Sequence, residues 1–278
     1  MRRDSREAEP PGRYGRTGIS FLPARLRPPR PDLPMRDVSA LLFDKDGTLV
    51  HFDRTWGPAC GAAMRALAGD DAAALARLQE VSHYLPAEGR FLHTSPLVSG
   101  SSAHYGPLWA DALRRPATPD FLAEIDDLFA REGLAFLTPI GQPLATLTHL
   151  KSAGFTLGIV TNDAENSARK QAHALGILPL LAAVHGYDSG FGSKPGPGMV
   201  AAFGARFGLA PHAMAVIGDS AHDLAAARGA GARFIAVRSG PAPIDDLMTE
   251  ADLVVDSIDD LPRLLALAPS SPERENAV

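Results

Sequence analysis

Cysteine is almost missing from this chain. Cys60 stands alone among 278 residues, so no disulfide can close within it and no oxidising compartment is needed. Long apolar runs are missing too, since none approaches the roughly 18 residues of a membrane span. Nor is there an excess of positive charge. With 27 Lys+Arg against 32 Asp+Glu, the net charge is −5 and the pI near 6.0, which removes the case for a nucleic-acid or other polyanion binder. A local cation with a divalent metal can still hold a phosphate. Close histidine pairs are absent as well. His51, His83, His93 and His104, or His212 with His222, include no H-x-x-x-H spacing, and Cys60 has no cysteine partner, so a zinc site is not expected. What remains is a globular composition, 45% hydrophobic, long enough for one large domain or two modest ones. A cytoplasmic protein is expected.

The two ends read differently from the middle. Residues 1–35 are rich in Arg, Pro and Gly, with few apolar residues and no period, so a disordered tail, or a start assigned ahead of Met35, is expected there. The stretch lacks the apolar core of a secretory signal, and Asp4, Glu7 and Glu9 argue against a transit peptide. A flexible tail is also expected over 269–278.

After Met35 the pattern becomes α/β. Short apolar runs at 40–43, 156–160, 182–185, 215–217, 234–237 and 253–255 end at polar or glycine-containing turns, as buried parallel strands do. Helix-like stretches fall between them at 142–153, 165–175, 198–207, 221–229 and 258–267. Gly154, Gly176, Gly208 and Gly231 stand where helix stops belong. This alternation predicts βαβ units with right-handed crossovers. Residues 52–137 interrupt it with helical stretches at 56–68, 72–84, 104–114 and 119–131 and no convincing strand, which predicts an all-helical insert over the strand ends.

Four polar segments fall where strands should end. The first is Asp44-Lys45-Asp46-Gly47-Thr48, in which two carboxylates at i and i+2 would share a face if the chain stays extended, and Lys45 would point away from them. The others are Thr161-Asn162-Asp163, Lys194-Pro195-Gly196-Pro197, and Gly218-Asp219-Ser220-Ala221-His222-Asp223. Each alone is common. In this order, each at a strand end, they are specific, because open α/β sheets bind ligands at that edge.

These segments resemble the four motifs of the haloacid dehalogenase-like hydrolases, whose commonest members are Mg²⁺-dependent phosphatases. FDKDGTL, KPGP and GDSAHDL are most similar to the phosphoglycolate-phosphatase-like members. The resemblance runs from about Val38 to Val255. It implies a Rossmann-like doubly wound parallel sheet, with the α/β core at 36–51 and 138–268 and a helical cap at 52–137. The substrate class it implies is a small phosphorylated metabolite, with phosphoglycolate leading.

Chemistry assigns the residues in the same sense. A carboxylate nucleophile splits phosphate-ester hydrolysis into two easier steps through an aspartyl phosphate. Asp44 is expected as the nucleophile and Asp46 as the acid/base. Mg²⁺ prefers oxygen ligands, so Asp44 and Asp219 are expected as its carboxylate ligands, with Asp223 as a direct or supporting partner. The Asp46 backbone carbonyl joins them by resemblance. Lys194 would neutralise the nucleophile and the phosphoryl group, and Thr161 and Asn162 would complete the phosphate cradle. Asp163 is expected to cap the helix beginning near Glu165. Thr48 is divided between supporting the loop and a direct role, and Trp56 and Trp109 are expected to pack cap helices. In the cap loop, beside His93, Ser99, Ser101 and Ser102, Arg90 is placed to pair with a substrate carboxylate.

Two other readings share these motifs. A phosphomutase would use the same aspartyl phosphate but shield it from water. A non-catalytic scaffold on the same fold would be expected to lose the nucleophile, the acid or Lys194, and none is missing. Dehalogenation needs neither Mg²⁺ nor Asp46 as a proton donor, which disfavours it.

Overall fold

A computed structural model describes residues 35–265, except Ser99, Ala242 and the side chain of Arg36. Apart from Met35, both expected tails lie outside the described residues. The described part enters through a 3-10 turn at Met35–Asp37, forms β1 (Ala40–Phe43) and then departs into α1 (Phe52–Ala68), α2 (Ala72–Val81), β2 (Tyr84–Leu85), β3 (Arg90–Phe91), α3 (Ser102–Ala112) and α4 (Pro119–Ala135). It returns through α5 (Pro143–Ser152), β4 (Thr156–Val160), α6 (Glu165–Ala174), β5 (Leu181–His185), α7 (Gly198–Phe207) and β6 (Met214–Gly218). The last elements are α8 (Ala221–Gly229), β7 (Arg233–Val237), α9 (Asp245–Met248), β8 (Leu253–Val255) and α10 (Leu261–Leu265).

Six strands form one parallel sheet in the order β5-β4-β1-β6-β7-β8. Strand β1 is central and buried on both faces, which its unbroken apolar run allows. Leu41 and Phe43 join the core on one side of the sheet, and Ala40 and Leu42 join the core on the other. Burial of side chains such as Phe43, Phe203 and Phe234 contributes roughly 1.5–3 kcal/mol each. Because β1 lies between β4 and β6, the chain order reverses at its carboxyl end, opening a crevice beside it. Gly154, Gly176, Gly208 and Gly231 take positive φ after α5, α6, α7 and α8, a conformation that costs glycine little.

The insert has its own apolar cluster, built on Trp109, Phe121, Ile125, Phe129 and the buried Cys60. It is not wholly helical: β2 and β3 pair as a two-residue antiparallel ribbon. Helix α2 therefore ends at Val81 rather than 84, since Tyr84 enters the ribbon and Gly89 supplies its positive-φ turn. Strands of two residues are too short to display a period of two, so no pattern marked them. At the other end of the chain, a 3-10 turn over Ile258–Asp260 precedes α10, and residues 266 and 267 lie outside the described part.

Candidate active site

Four strand ends deliver the polar segments to one cleft of about 730 Å³ between the sheet and the insert, lined by Asp44, Asp46, Thr161, Lys194 and Asp219 among others. Asp44 continues the line of β1, its N–H donating to the Ile217 carbonyl of β6 at 2.8 Å. The Lys194 ammonium lies 2.7 Å from Asp44 Oδ1 and 2.6 Å from Asp223 Oδ1, and all three side chains are buried. Burial alone would lower the Lys194 pKa, but the charges of Asp223 and Asp44 outweigh it and hold the ammonium protonated.

Asp219 completes the cluster. Suitable oxygens of Asp44, Asp219 and Asp223 lie within 4.8 Å of one another. Two glycines make room for Asp219. A Cβ on Gly47, which sits at φ +85°, would come 2.4 Å from Asp219 Oδ2, and one on Gly240 would come within 2.0 Å. Thr48 Oγ1 donates to Asp219 Oδ1 at 3.2 Å. One ammonium does not balance three buried carboxylates. Burial, then Asp223, raises Asp44 to about 7 against the pull of Lys194. Burial, then Asp44 and Asp223, raises Asp219 well above the usual carboxylate range. Hard oxygen donors crowded with too little positive charge are what a divalent cation fits. Asp223 has both oxygens engaged, one by Lys194 and the other by the Ser220 amide and hydroxyl at the start of α8. It therefore holds Lys194 from behind.

The structure corrects the expectation for Lys45. Alternation would have sent it away from the acids, but β1 ends at Phe43, and beyond it the chain turns. The Lys45 ammonium lies 2.7 Å and 2.8 Å from the two carboxylate oxygens of Asp46, 2.9 Å from Gln171 Oε1 and 3.2 Å from Asp163 Oδ2. It also sits 4.8 Å from the centroid of Trp56. Trp56 is more than packing, because its indole N–H donates to Asp46 Oδ1. Burial would depress Lys45, yet the charges of Asp46 and Asp163 raise it above the ordinary lysine value.

Asn162 lines the cleft with Thr161, and the expectation for Asp163 changes. The carboxamide of Asn162 donates to the Lys194 carbonyl at 3.0 Å and accepts from the Lys194 N–H at 2.8 Å, so both its ends position the lysine. Asp163 does not cap α6, whose N-cap position is Ala164. Its carboxylate accepts from the Ala164 N–H and the Ser167 hydroxyl and faces Lys45. Thr161 is buried at the end of β4, where its hydroxyl accepts the Asp163 N–H at 3.1 Å.

On the insert side, Arg90 is not in the cleft. It is half-exposed on β3 and paired with Glu88 at 2.6 Å, because the Gly89 turn brings those two residues together. What does line the cleft there is Ser102 of the expected cap loop, together with two residues that no sequence motif marked. The Tyr187 hydroxyl, in the loop after β5, donates to Asp126 Oδ2 of α4 at 2.6 Å and accepts from the Ser102 hydroxyl of α3 at 2.7 Å. The three come from separate segments with no spacing to betray them. Burial raises Asp126, against the hydrogen bond from Tyr187.

A parallel doubly wound sheet whose central strand ends in paired aspartates, with a lysine and an acidic cluster beside them, defines a class of phosphate-handling α/β hydrolases. The model of the haloacid dehalogenase-like hydrolases matches residues 38–231. The chain is 33% identical over 202 residues to the phosphoglycolate phosphatase of Rhodospirillum rubrum, covering 72% of this chain and 80% of that one. With the Chromobacterium violaceum phosphoglycolate phosphatase it shares 29% over 231 residues, 82% of this chain and 96% of the relative. Among solved structures, a predicted phosphoglycolate phosphatase from Haemophilus somnus superposes with a TM-score of 0.62 at 22% identity, covering 82% of this chain and 97% of the other. The chain belongs to the haloacid dehalogenase-like hydrolases. Among the described residues, no helix is long and apolar enough to cross a membrane.

Proposed function

We propose that the protein is a Mg²⁺-dependent phosphatase that hydrolyses a small phosphate monoester through an aspartyl phosphate on Asp44. One observation carries the reading: Asp44 and Asp46 open onto the same cleft, each with its own ammonium group, beside an acidic cluster short of positive charge. Asp44 attacks phosphorus, and the bond to the leaving oxygen breaks as that oxygen takes a proton from Asp46. Asp46, now a carboxylate, takes a proton from water, whose oxygen attacks the aspartyl phosphate and returns Asp44. Lys194 offsets the charge of the nucleophile and the phosphoryl oxygens, Thr161 lies at the phosphate end, and Asn162 fixes the lysine. Asp44 and Asp219, with the Asp46 carbonyl and Asp223 in support, are the groups that would hold Mg²⁺, which when bound neutralises charge on the transferring phosphoryl group.

The relatives' names make phosphoglycolate the leading substrate. The insert over the cleft acts as the cap of the α/β core, excluding water and contacting the leaving group. A phosphate-release screen over phosphoglycolate, sugar phosphates, nucleotides and pyrophosphate, with Mg²⁺ and with chelator, tests the reading. Mg²⁺-dependent release that is lost in Asp44→Asn is expected. Release that persists in chelator, or in that variant, would overturn it.

A further inference from the structure

The Asp44–Lys45–Asp46 run places a lysine where the chemistry proposed above has no obvious use for one. Its ammonium group is nonetheless fully committed. Three N–H groups meet three kinds of partner, the Asp46 carboxylate, the Gln171 amide oxygen and the Asp163 carboxylate, and the side chain is only 1% exposed. Neither Asp44 nor Asp219 shares in this. Asp44 pairs instead with the second cation, Lys194, which also holds Asp223, and Asp219 accepts from Thr48. The five carboxylates of the region are thus divided, one lysine to the nucleophile's side and the other to Asp46.

We propose that Lys45 is a positioning residue for Asp46, and that Trp56 of the insert is its second hand. Lys45 grips both carboxylate oxygens from the core, and the Trp56 indole N–H holds Oδ1 from α1. The carboxylate therefore has one docked orientation. It cannot swing freely over the cleft, although it lines it. Asp163 and Gln171 make this dock reusable. When Asp46 turns to the leaving oxygen, the ammonium keeps a counter-ion and an acceptor, so a buried charge is not stranded by the movement. This also explains why Asp163 faces into the site rather than capping α6. Because Trp56 belongs to the insert and Lys45 to the core, the proton donor is held by both parts of the molecule. The proposal rests on the reading of Asp46 as acid/base.

A lysine that merely neutralised buried acids would matter equally for every substrate. A positioning role predicts selectivity for the leaving group. An alkyl phosphate leaves as a poor alkoxide and needs the proton from Asp46, whereas p-nitrophenol leaves readily as its anion. The test is kcat/KM, which reports the steps up to release of the leaving group and not the common hydrolysis of the aspartyl phosphate, for an alkyl phosphate and for p-nitrophenyl phosphate, both at saturating Mg²⁺, in the wild type, Lys45→Met, Trp56→Phe and Asp46→Asn. Asp46→Asn is expected to lose on the order of 10²-fold more on the alkyl ester than on the aryl ester. Lys45→Met should show the same pattern at about tenfold, Trp56→Phe a smaller one, and Lys45→Met should add no further selectivity to Asp46→Asn. Trp56→Phe keeps the ring and serves if Lys45→Met fails to fold. Equal losses on both esters in Lys45→Met or Trp56→Phe, with selectivity still seen in Asp46→Asn, would overturn the positioning role alone. A wild type silent on every ester, or an Asp46→Asn without selectivity, would instead remove the phosphatase or acid/base reading on which it stands.

Discussion

The Tyr187 hydroxyl donates to Asp126 Oδ2 at 2.6 Å, tying the loop after the edge strand β5 to helix α4 of the insert directly above the cleft. Ser102 reaches the same hydroxyl from α3, so one phenol oxygen joins three segments that the chain keeps far apart.

Removing that oxygen should loosen the insert without touching the phosphoryl site. Tyr187→Phe leaves Asp126 and Ser102 without their shared partner, at a cost of about 1 kcal/mol. Denaturant unfolding should show that loss, and amide exchange should quicken in α3 and α4 while the sheet stays protected.

Gly240 isolates the packing around Asp219. An alanine there brings Cβ within 2.0 Å of Asp219 Oδ2, with no unusual φ to confuse the result. Gly240→Ala is expected to raise the Mg²⁺ concentration for half-maximal activity by roughly tenfold to a hundredfold, read from a metal titration. An unchanged titration would mean that Asp219 is not the ligand assigned.

His185 predicts a pH dependence of stability. Its ring is buried against Phe191 and Phe203 and hydrogen-bonds the Met199 carbonyl at 3.1 Å. Burial, reinforced by Arg206 and Arg169 and opposed by Glu165 and the Met199 bond, lowers its pKa below the usual 6.5. The unfolded chain then takes up the proton first on acidification. The contribution of His185 is full above about 6.5 and fades as pH falls towards the lowered folded value. Urea unfolding at pH 7.5 and 5.5 should show less acid sensitivity in His185→Asn than in the wild type.

Arg90 separates the two ways of reading the insert. Since it pairs with Glu88 outside the cleft, Arg90→Ala should leave kcat/KM on phosphoglycolate within about twofold, an effect of a surface substitution. A loss of tenfold or more, chiefly in KM, would return it to the substrate.

The strands were readable because each is a short apolar run closed by a polar turn. Three of them, 40–43, 156–160 and 253–255, have the same bounds in sequence and structure. The gathering of the four polar segments at one edge follows from that alone. Side-chain direction beyond a strand end does not, since the period of two stops with the ladder. That is why Lys45 reverses its expected direction one residue past Asp44. Asn162 carries no mark in sequence that its amide would be taken up by the backbone of Lys194, which is 32 positions away. Arg90 carries no such mark either. A polar loop looks the same whether its arginine turns inward or closes a hairpin.

Cys60 lies in the middle of α1, fully covered by the insert's apolar cluster, with its thiol pushed well above its ordinary pKa by burial. As the chain's sole cysteine, it is a built-in clock for that cluster. A thiol reagent can reach it only when the insert opens, so the rate of labelling counts those openings directly, with no engineered probe and no background from elsewhere in the chain.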